Sequence, residues 1–485
     1  MSHRFFFKLI FILLFALSIE KTLAQTTLNG GDVSGELLKS GSPYIVKATI
    51  TVPKGKTLVV KPGVQILFDG AYNLNVEGSL QALGTAAQPI VFTAKDTNNG
   101  WRGIQIFKNE QGADSNLFEH CTFSYTYQIT PDPWRDFGAV LLDSVDNVRF
   151  SFCDFFNNTS LSGGAVRLFY STCRINDCEF VRNRAYDSNS THPAQGYGPY
   201  GSCIVSNFSD VEIKSSNFKF NMSIAPDYID YNETARASGL VGFDGNRVKI
   251  LDCLFENNFC DAGSIIRYGG SYYDELKLDT FWMERCVVKN NKIRDKEILA
   301  LNGSYSNHVR FYVRDCDFIE NECLDGLSGS VVLCFNNNGG SNDMVVDNCK
   351  LINNKMAQGI FISQGVHGTY SNSLIAGQRG YGIFITQSTK VYVVNSLIHN
   401  NWRGFYSFFN SDINLLNSVI AFNGRIDSTK PFPEFENGAP WSYSYGLGVG
   451  NRGQLNLYNS IVQDNKDYLG GVANFIGSEN REPFP

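Results

Sequence analysis

VKILDCLFENN, residues 248–258, is one of twelve versions of a single phrase, eleven of which carry Asn or Gln five places after their centre. FWMERCVVKNN (281–291), FYVRDCDFIEN (311–321), VYVVNSLIHNN (391–401) and INLLNSVIAFN (413–423) repeat its frame. A small residue, Cys or Ser, stands at the centre, at positions 121, 153, 178, 216, 253, 286, 316, 349, 373, 396, 418 and 460. From 349 to 418 the centres lie 22 to 24 residues apart, and longer spacings are that period plus an inserted loop. Apolar residues fall five and three before the centre and two after it, the last column including Phe155, Phe180, Phe218 and Phe255. Five after the centre stand Asn158, Asn183, Asn221, Asn258, Asn291, Asn321, Asn354, Gln378, Asn401, Asn423 and Asn465.

Alternation with period two, interrupted once, describes two short strands joined by a bend. A third strand follows a turn glycine in Gly164-Ala-Val, Gly329-Ser-Val-Val, Gly359-Ile-Phe-Ile and Gly382-Ile-Phe-Ile. Three short strands per 22 to 24 residues, with no helical period between them, make one coil of an all-β parallel β-helix, a solenoid. About 15 such coils, stacked ~4.8 Å apart, would give a rod near 70 Å long. The Asn column then forms a structural ladder, each amide bonding to its copies in the neighbouring coils.

The chain divides into residues 1–24, a lead-in at 25–41, the β-helix at 42–475 and a C-terminal tail at 476–485. Arg4 and Lys8, an apolar run from Leu9 to Ile19 and the small-residue site Thr22-Leu23-Ala24 make residues 1–24 a secretory signal peptide. No later stretch reaches the roughly 18 apolar residues of a membrane helix, so no transmembrane segment is expected and the product is secreted, extracellular. The chain stops at Glu482-Pro-Phe-Pro485 with no capping helix, which reads as a shortened member of a longer architecture.

The opening coils, GKTLVVKPGVQILFDG (55–70) and LNVEGSLQALGTAAQPIVFTA (74–94), resemble the entry pattern of right-handed parallel β-helix proteins of the pectin-lyase-like superfamily. Similar coils occur in secreted surface proteins and in bark-beetle-type junction ectodomains. The resemblance covers about residues 42–470 and implies a right-handed coil, but no single activity, since that superfamily holds lyases, hydrolases, epimerases and adhesins. The superfamily's enzyme motifs are unmatched: His367-Gly368 lacks a leading Gly, and Arg174-Ile175-Asn176 lacks a basic third residue.

Composition narrows the remaining choices. With 41 basic against 47 acidic residues, no nucleic-acid partner is expected. All 12 cysteines lie between Cys121 and Cys349. In an exported chain they would ordinarily pair. Seven of them share the central position, so they are expected to form an inward stack of mostly free thiols acting as small hydrophobes. Cys173, Cys203 and Cys334 are the residual candidates for a bond. No CxxC spacing occurs, and no metal site is expected.

The inserted loops, which are aromatic and acidic, are where chemistry could sit. Trp134, Tyr197, Tyr200, Tyr228, Tyr231, Tyr272 and Tyr273 are candidate carbohydrate-binding rings, because flat apolar faces suit the C–H faces of sugars. Asp227, Asp230 and Glu233 are candidate catalytic carboxylates, able to act as acid and base or to hold Ca²⁺; no other cofactor is implied. Packing of the same loops onto the rod is the competing reading. Asn189 and Asn232 are the sequons best placed for glycosylation. Function therefore reads as a secreted surface or matrix module binding an extracellular polysaccharide or protein partner, with a polysaccharide lyase or glycoside hydrolase as the alternative.

Overall fold

A computed structural model describes residues 25–108, 116–128, 137–160, 163–186, 201–224, 239–245, 247–261, 263–270, 279–294, 296–303, 309–324, 329–336, 342–363, 365–386, 390–408, 411–424, 449–450, 454–465 and 475–476. These residues build a right-handed parallel β-helix, as the sequence implies. Three parallel sheets run the length of the rod and a fourth spans only its middle, numbered here in the order one repeat phrase visits them. Sheet I has 15 strands, from Gly35–Leu37 to Gln454–Tyr458, and sheet II has 16, from Thr26–Leu28 to Ile461–Gln463. Sheet III has 7, from Tyr127–Gln128 to Glu322–Cys323, and sheet IV has 16, from Gly31–Asp32 to Phe475–Ile476. Sheet III is the departure from three strands per coil. In the middle of the rod the residues after each ladder Asn stay extended and pair with their copies, as Thr159 does with Arg184. Pairing also begins earlier than the lead-in implied, for Thr26–Leu28 already lies beside Tyr44–Val46.

The alternating pattern fixes what lies inside. Phe92, Phe123, Phe155, Phe180, Phe218 and Phe255, one per coil of sheet II, are all fully buried. From Phe123 onward neighbouring rings stack with centroids 4.6 to 4.8 Å apart, the spacing of the strands themselves. Each offset pair adds roughly 0.5–1.5 kcal/mol beyond burial.

Two bends per coil are made by left-handed residues. Before the small centre stand Asp177, Asp252, Asp315, Asn348, Asn395 and Asn459, with φ between 47° and 55°. Before the ladder Asn stand Asn157, Asn257, Asn290 and Asn353, with φ between 52° and 56°. Asn and Asp tolerate this region best among residues with a Cβ. Each bend turns backbone groups inward, away from their strand partners, and a side-chain column satisfies them.

At the second bend that column is the Asn ladder. Asn221 is fully buried. Its Oδ1 accepts from the backbone N–H (2.8 Å) and Nδ2 (3.1 Å) of Asn183. Its Nδ2 donates to the Phe180 carbonyl (2.8 Å) and to Asn258 Oδ1 (3.1 Å). The amide thus uses both donors and both lone pairs. Thr126 receives the top of the ladder, its backbone N–H and hydroxyl both reaching Asn158 Oδ1. Gln378 interrupts it. One methylene too long, it donates from Nε2 to the Leu351 and Ala376 carbonyls, and its buried Oε1 has no partner among the described residues.

At the first bend the small residues form a second ladder. Ser396 Oγ donates to the Val394 carbonyl at 2.8 Å and accepts the Ser373 backbone N–H at 3.2 Å. Cys286 occupies the same role: its thiol faces the Glu284 carbonyl at 3.3 Å and receives the Cys253 N–H at 3.5 Å. The centre is therefore a small hydrogen-bonding residue rather than a small hydrophobe, which is why Ser and Cys alternate there. All twelve cysteines are buried and unpaired, including Cys173, Cys203 and Cys334. Cys260 and Cys323 face the same way but are separated by Ile293.

Gln378→Asn should complete the ladder and raise stability by about 1–3 kcal/mol, while Asn258→Leu, which orphans buried backbone groups, should cost about 3 kcal/mol or more. Urea unfolding midpoints check both directions. Cys286→Ser should be near neutral, whereas Cys286→Ala should cost about 1 kcal/mol. No thiol should react with a disulfide reagent before denaturation, and all twelve should react after it. Burial raises Cys173, Cys203, Cys260 and Cys334 above the ordinary thiol value of 9.0. Folded thiols with raised pKa stabilise fully below the unfolded value, so the urea midpoint should hold up to pH 9 and fall above it.

Candidate functional site

All the sequence-predicted loop residues lie outside the described residues. That applies to Trp134, Tyr197, Tyr200, Tyr228, Tyr231, Tyr272 and Tyr273, to Asp227, Asp230 and Glu233, and to Asn189 and Asn232. What the structure brings together instead is an aromatic shelf on the outer face of sheet IV, in coils that carry no long insertion.

The shelf comes from three successive strands, Gln358–Ser363, Tyr381–Thr386 and Arg403–Phe408. Register places Phe361 beside Phe384 and Phe384 beside Tyr406, while Tyr381 pairs with Arg403. Because side chains alternate across a strand, the flanking Ile360, Ile362, Ile383, Ile385 and Phe405 point into the core and these rings point out. Phe384 lies 5.3 Å from Phe361 and 5.8 Å from Tyr406, nearly parallel to the latter at 13°. Tyr381 lies 5.0 Å from Phe384 and 6.3 Å from Trp402, closing the group. All five rings are half-buried, each offering part of a face to solvent.

One cation is built into the shelf. Arg403, 5% exposed, lies 3.9 Å above the Trp402 ring and 4.8 Å from that of Tyr381, whose hydroxyl accepts a hydrogen bond from its Nη1. Burial pulls the guanidinium's pKa down, and the Tyr381 oxygen opposes that pull. Its stacking on Trp402 and Tyr381 restrains those two rings, so less side-chain freedom remains to be lost on binding. The signal was present in the sequence: Gly-Ile-Phe-Ile, repeated at Gly359 and Gly382, sets an aromatic residue between two inward-facing isoleucines.

Two depressions of about 320 and 390 Å³ lie side by side at the Asn-bearing bend. Asp154 and Glu179 line the first and are register neighbours, with Arg182 beside them. Glu179 is already engaged, accepting a hydrogen bond from Asn217 Nδ2 and facing Lys219 Nζ at 3.9 Å. Asp154 is exposed; partial burial of its carboxyl, Cys153 and Glu179 push its pKa up. Among the described residues, no group of three or more His, Cys, Asp or Glu could hold a metal ion, and no helix is long and apolar enough to cross a membrane.

The family model of the right-handed beta helix region matches residues 91–281 and 332–480, well over half of the chain. The chain belongs to the right-handed β-helix family. Within it, the chain is similar to the protein bark beetle of Drosophila melanogaster, at 32% identity over 87 residues. That match covers 18% of this chain and only 3% of bark beetle. Among solved structures, the Dettilon tailspike protein shares 14% identity, covering 70% of this chain and 62% of the tailspike, at a TM-score of 0.38. PfbA, a surface adhesin of Streptococcus pneumoniae, shares 11% identity over 83% of this chain and 86% of its own, at 0.35. These likenesses concern the coil alone.

Proposed function

We propose that this right-handed β-helix protein is an exported carbohydrate-binding module, with the shelf of Phe361, Tyr381, Phe384, Trp402 and Tyr406 as its binding surface. The observation that carries this reading is five outward rings within three bare coils. Apolar rings on the solvent face contribute less to folding than the same rings inside, where this chain already has a continuous phenylalanine column. A cluster of closely packed rings, of which Phe384 and Tyr406 are near-parallel at 13°, suits the C–H face of a sugar chain lying along the rod. Export rests on the leader-like residues 1–24.

A catalytic reading has weaker support among the described residues. The Asp154–Glu179 depression is shallow and open, and Glu179 already has an amide and an ammonium partner.

The double variant Trp402→Ala/Tyr406→Ala should bind soluble neutral polysaccharides about ten- to a hundredfold more weakly than the wild type. Affinity electrophoresis measures this, and an unchanged thermal midpoint would show that the coil is intact. Equal affinity of variant and wild type for every polysaccharide bound would remove the shelf from the site. Release of new reducing ends from any of them would replace binding with catalysis.

A further inference from the structure

The folded rod sorts the sequons. Seven stretches carry the Asn-x-Ser/Thr pattern, and five of them, at Asn157, Asn158, Asn207, Asn221 and Asn302, begin at described residues. Asn158 and Asn221 are rungs of the ladder and fully buried. Asn158 Nδ2 donates to the Phe123 carbonyl and to Asn183 Oδ1, both at 3.0 Å, so the nitrogen that would carry a sugar has both hydrogens engaged. Asn221 Nδ2 is held in the same way. Asn207 lies in the sheet IV strand Ile204–Asn207, its Nδ2 donating to Asp244 at 3.3 Å and its Oδ1 buried. Asn302 lies in Leu299–Gly303 of the same sheet, again with Oδ1 buried.

Asn157 is placed differently. It is the left-handed residue of the second bend, φ 53°, half-buried, and its side-chain amide makes no hydrogen bond among the described residues. Side chains alternate beyond the bend, so its sequon hydroxyl, Thr159, points out while Ser160 points in and is fully buried. The same bend position holds Asn257, Asn290, Asn353 and Asn400, followed two places later by Phe259, Lys292, Lys355 and Trp402. Of these five bend asparagines, Asn157 alone has an outward threonine and hence an acceptor sequence. The two depressions of about 320 and 390 Å³ meet at its side chain. Phe156 and Val181 wall the first, Phe220 and Met222 the second, and Phe220 is 49% exposed.

We propose that Asn157 is an N-glycan attachment site and that its sugar chain lies over the two depressions. The assignment rests on the export reading of residues 1–24, because the donor, a lipid-pyrophosphate-linked oligosaccharide, is met on the export route. Transfer forms a bond between Asn157 Nδ2 and C1 of the first sugar. It breaks the bond from C1 to the pyrophosphate oxygen and releases one amide proton, with no change of oxidation state. Transfer takes place on the unfolded chain, so the fold acts as a filter. A sugar on Asn158 would remove a donor from the ladder and force polar bulk into the core, and the coil could not close. A sugar on Asn157 leaves every ladder bond intact. Adjacent residues thus have opposite fates, set by the side of the bend each one faces. The glycan would cover Phe220 and Met222 and close the Asp154–Glu179 depression to other ligands.

Expression of the full chain in a eukaryotic secretory host tests the assignment. Enzymatic deglycosylation in heavy-oxygen water marks each carrier Asn as labelled Asp, and peptide mass spectrometry then reads occupancy site by site. Asn157 should be occupied in most molecules, and Asn158 and Asn221 in none. Thr159→Ala destroys the acceptor sequence of Asn157 but keeps that of Asn158, and should abolish the glycan on this peptide. Ser160→Ala destroys only that of Asn158 and should leave occupancy unchanged. The buried Ser160 hydroxyl has no partner among the described residues, so this variant should also keep the wild-type thermal midpoint. A secreted chain that has lost residues 1–24 and is bare at Asn157 would overturn the assignment while leaving export standing. So would a glycan on Asn158 or Asn221 in a chain with the wild-type midpoint, or full occupancy in Thr159→Ala. An unglycosylated chain that keeps residues 1–24 inside the cell would overturn export, and the assignment with it.

Discussion

Everything in this rod depends on closing each coil with left-handed residues that carry a Cβ. A left-handed residue other than glycine costs roughly 1–2 kcal/mol, and the chain incurs that cost twice in nearly every coil. The bend also turns peptide groups inward where strand pairing cannot reach them. Each column of side chains answers both problems together. An amide with four bonds, or a hydroxyl or thiol with two, holds the bend and satisfies the turned groups. It also ties each coil to its neighbours. Local strain and long-range register are thereby solved by one residue per bend, and among the coils of 22 to 24 residues only the one bearing Gln378 places a glycine, Gly377, at either of these corners.

The parts of this arrangement that recur could be read directly from the chain. Asn at a fixed offset from a small residue located the ladder, and phenylalanine two places after that residue located the core stack. The chemical role of the small residue was only half visible. Cys and Ser share size, which suggested packing, but they also share an X–H donor and an acceptor, and only the Sγ–carbonyl and Oγ–carbonyl distances show which property matters. Sheet III was hidden because its strands are two or three residues long, too short for an alternating pattern to register.

The candidate surfaces show the opposite side of the same logic. Long aromatic loops drew the eye because they break the period, yet the shelf sits where the period is strictest. In coils without insertions, equivalent outward positions line up at strand spacing, so two or three sequence-distant rings become one surface. A local motif such as Gly-Ile-Phe-Ile at Gly359 and Gly382 marks only two of its rings. The surface appears only when the repeats are aligned and the outward column is read down the rod, as with Phe361, Phe384 and Tyr406.

Gln378 gives the stack an uneven grain. Solenoids behave as chains of nearest-neighbour couplings, and a fault in one coupling divides the cooperative unit. The amide column runs unbroken from Asn158 to Asn354 and resumes at Asn401, so the coils on either side of Gln378 are joined at that corner by fewer bonds than any other consecutive pair in the column. Phe384, Trp402 and Tyr406 lie beyond the fault, and the strand of Phe361 borders it. Fraying from the C-terminal end would therefore halt, or zipping from the N-terminal end would pause, at the edge of the aromatic shelf. A long polymer lying across all three coils would act as a splint over that seam, and occupancy of the shelf would be registered as slower amide exchange in the last coils of the rod.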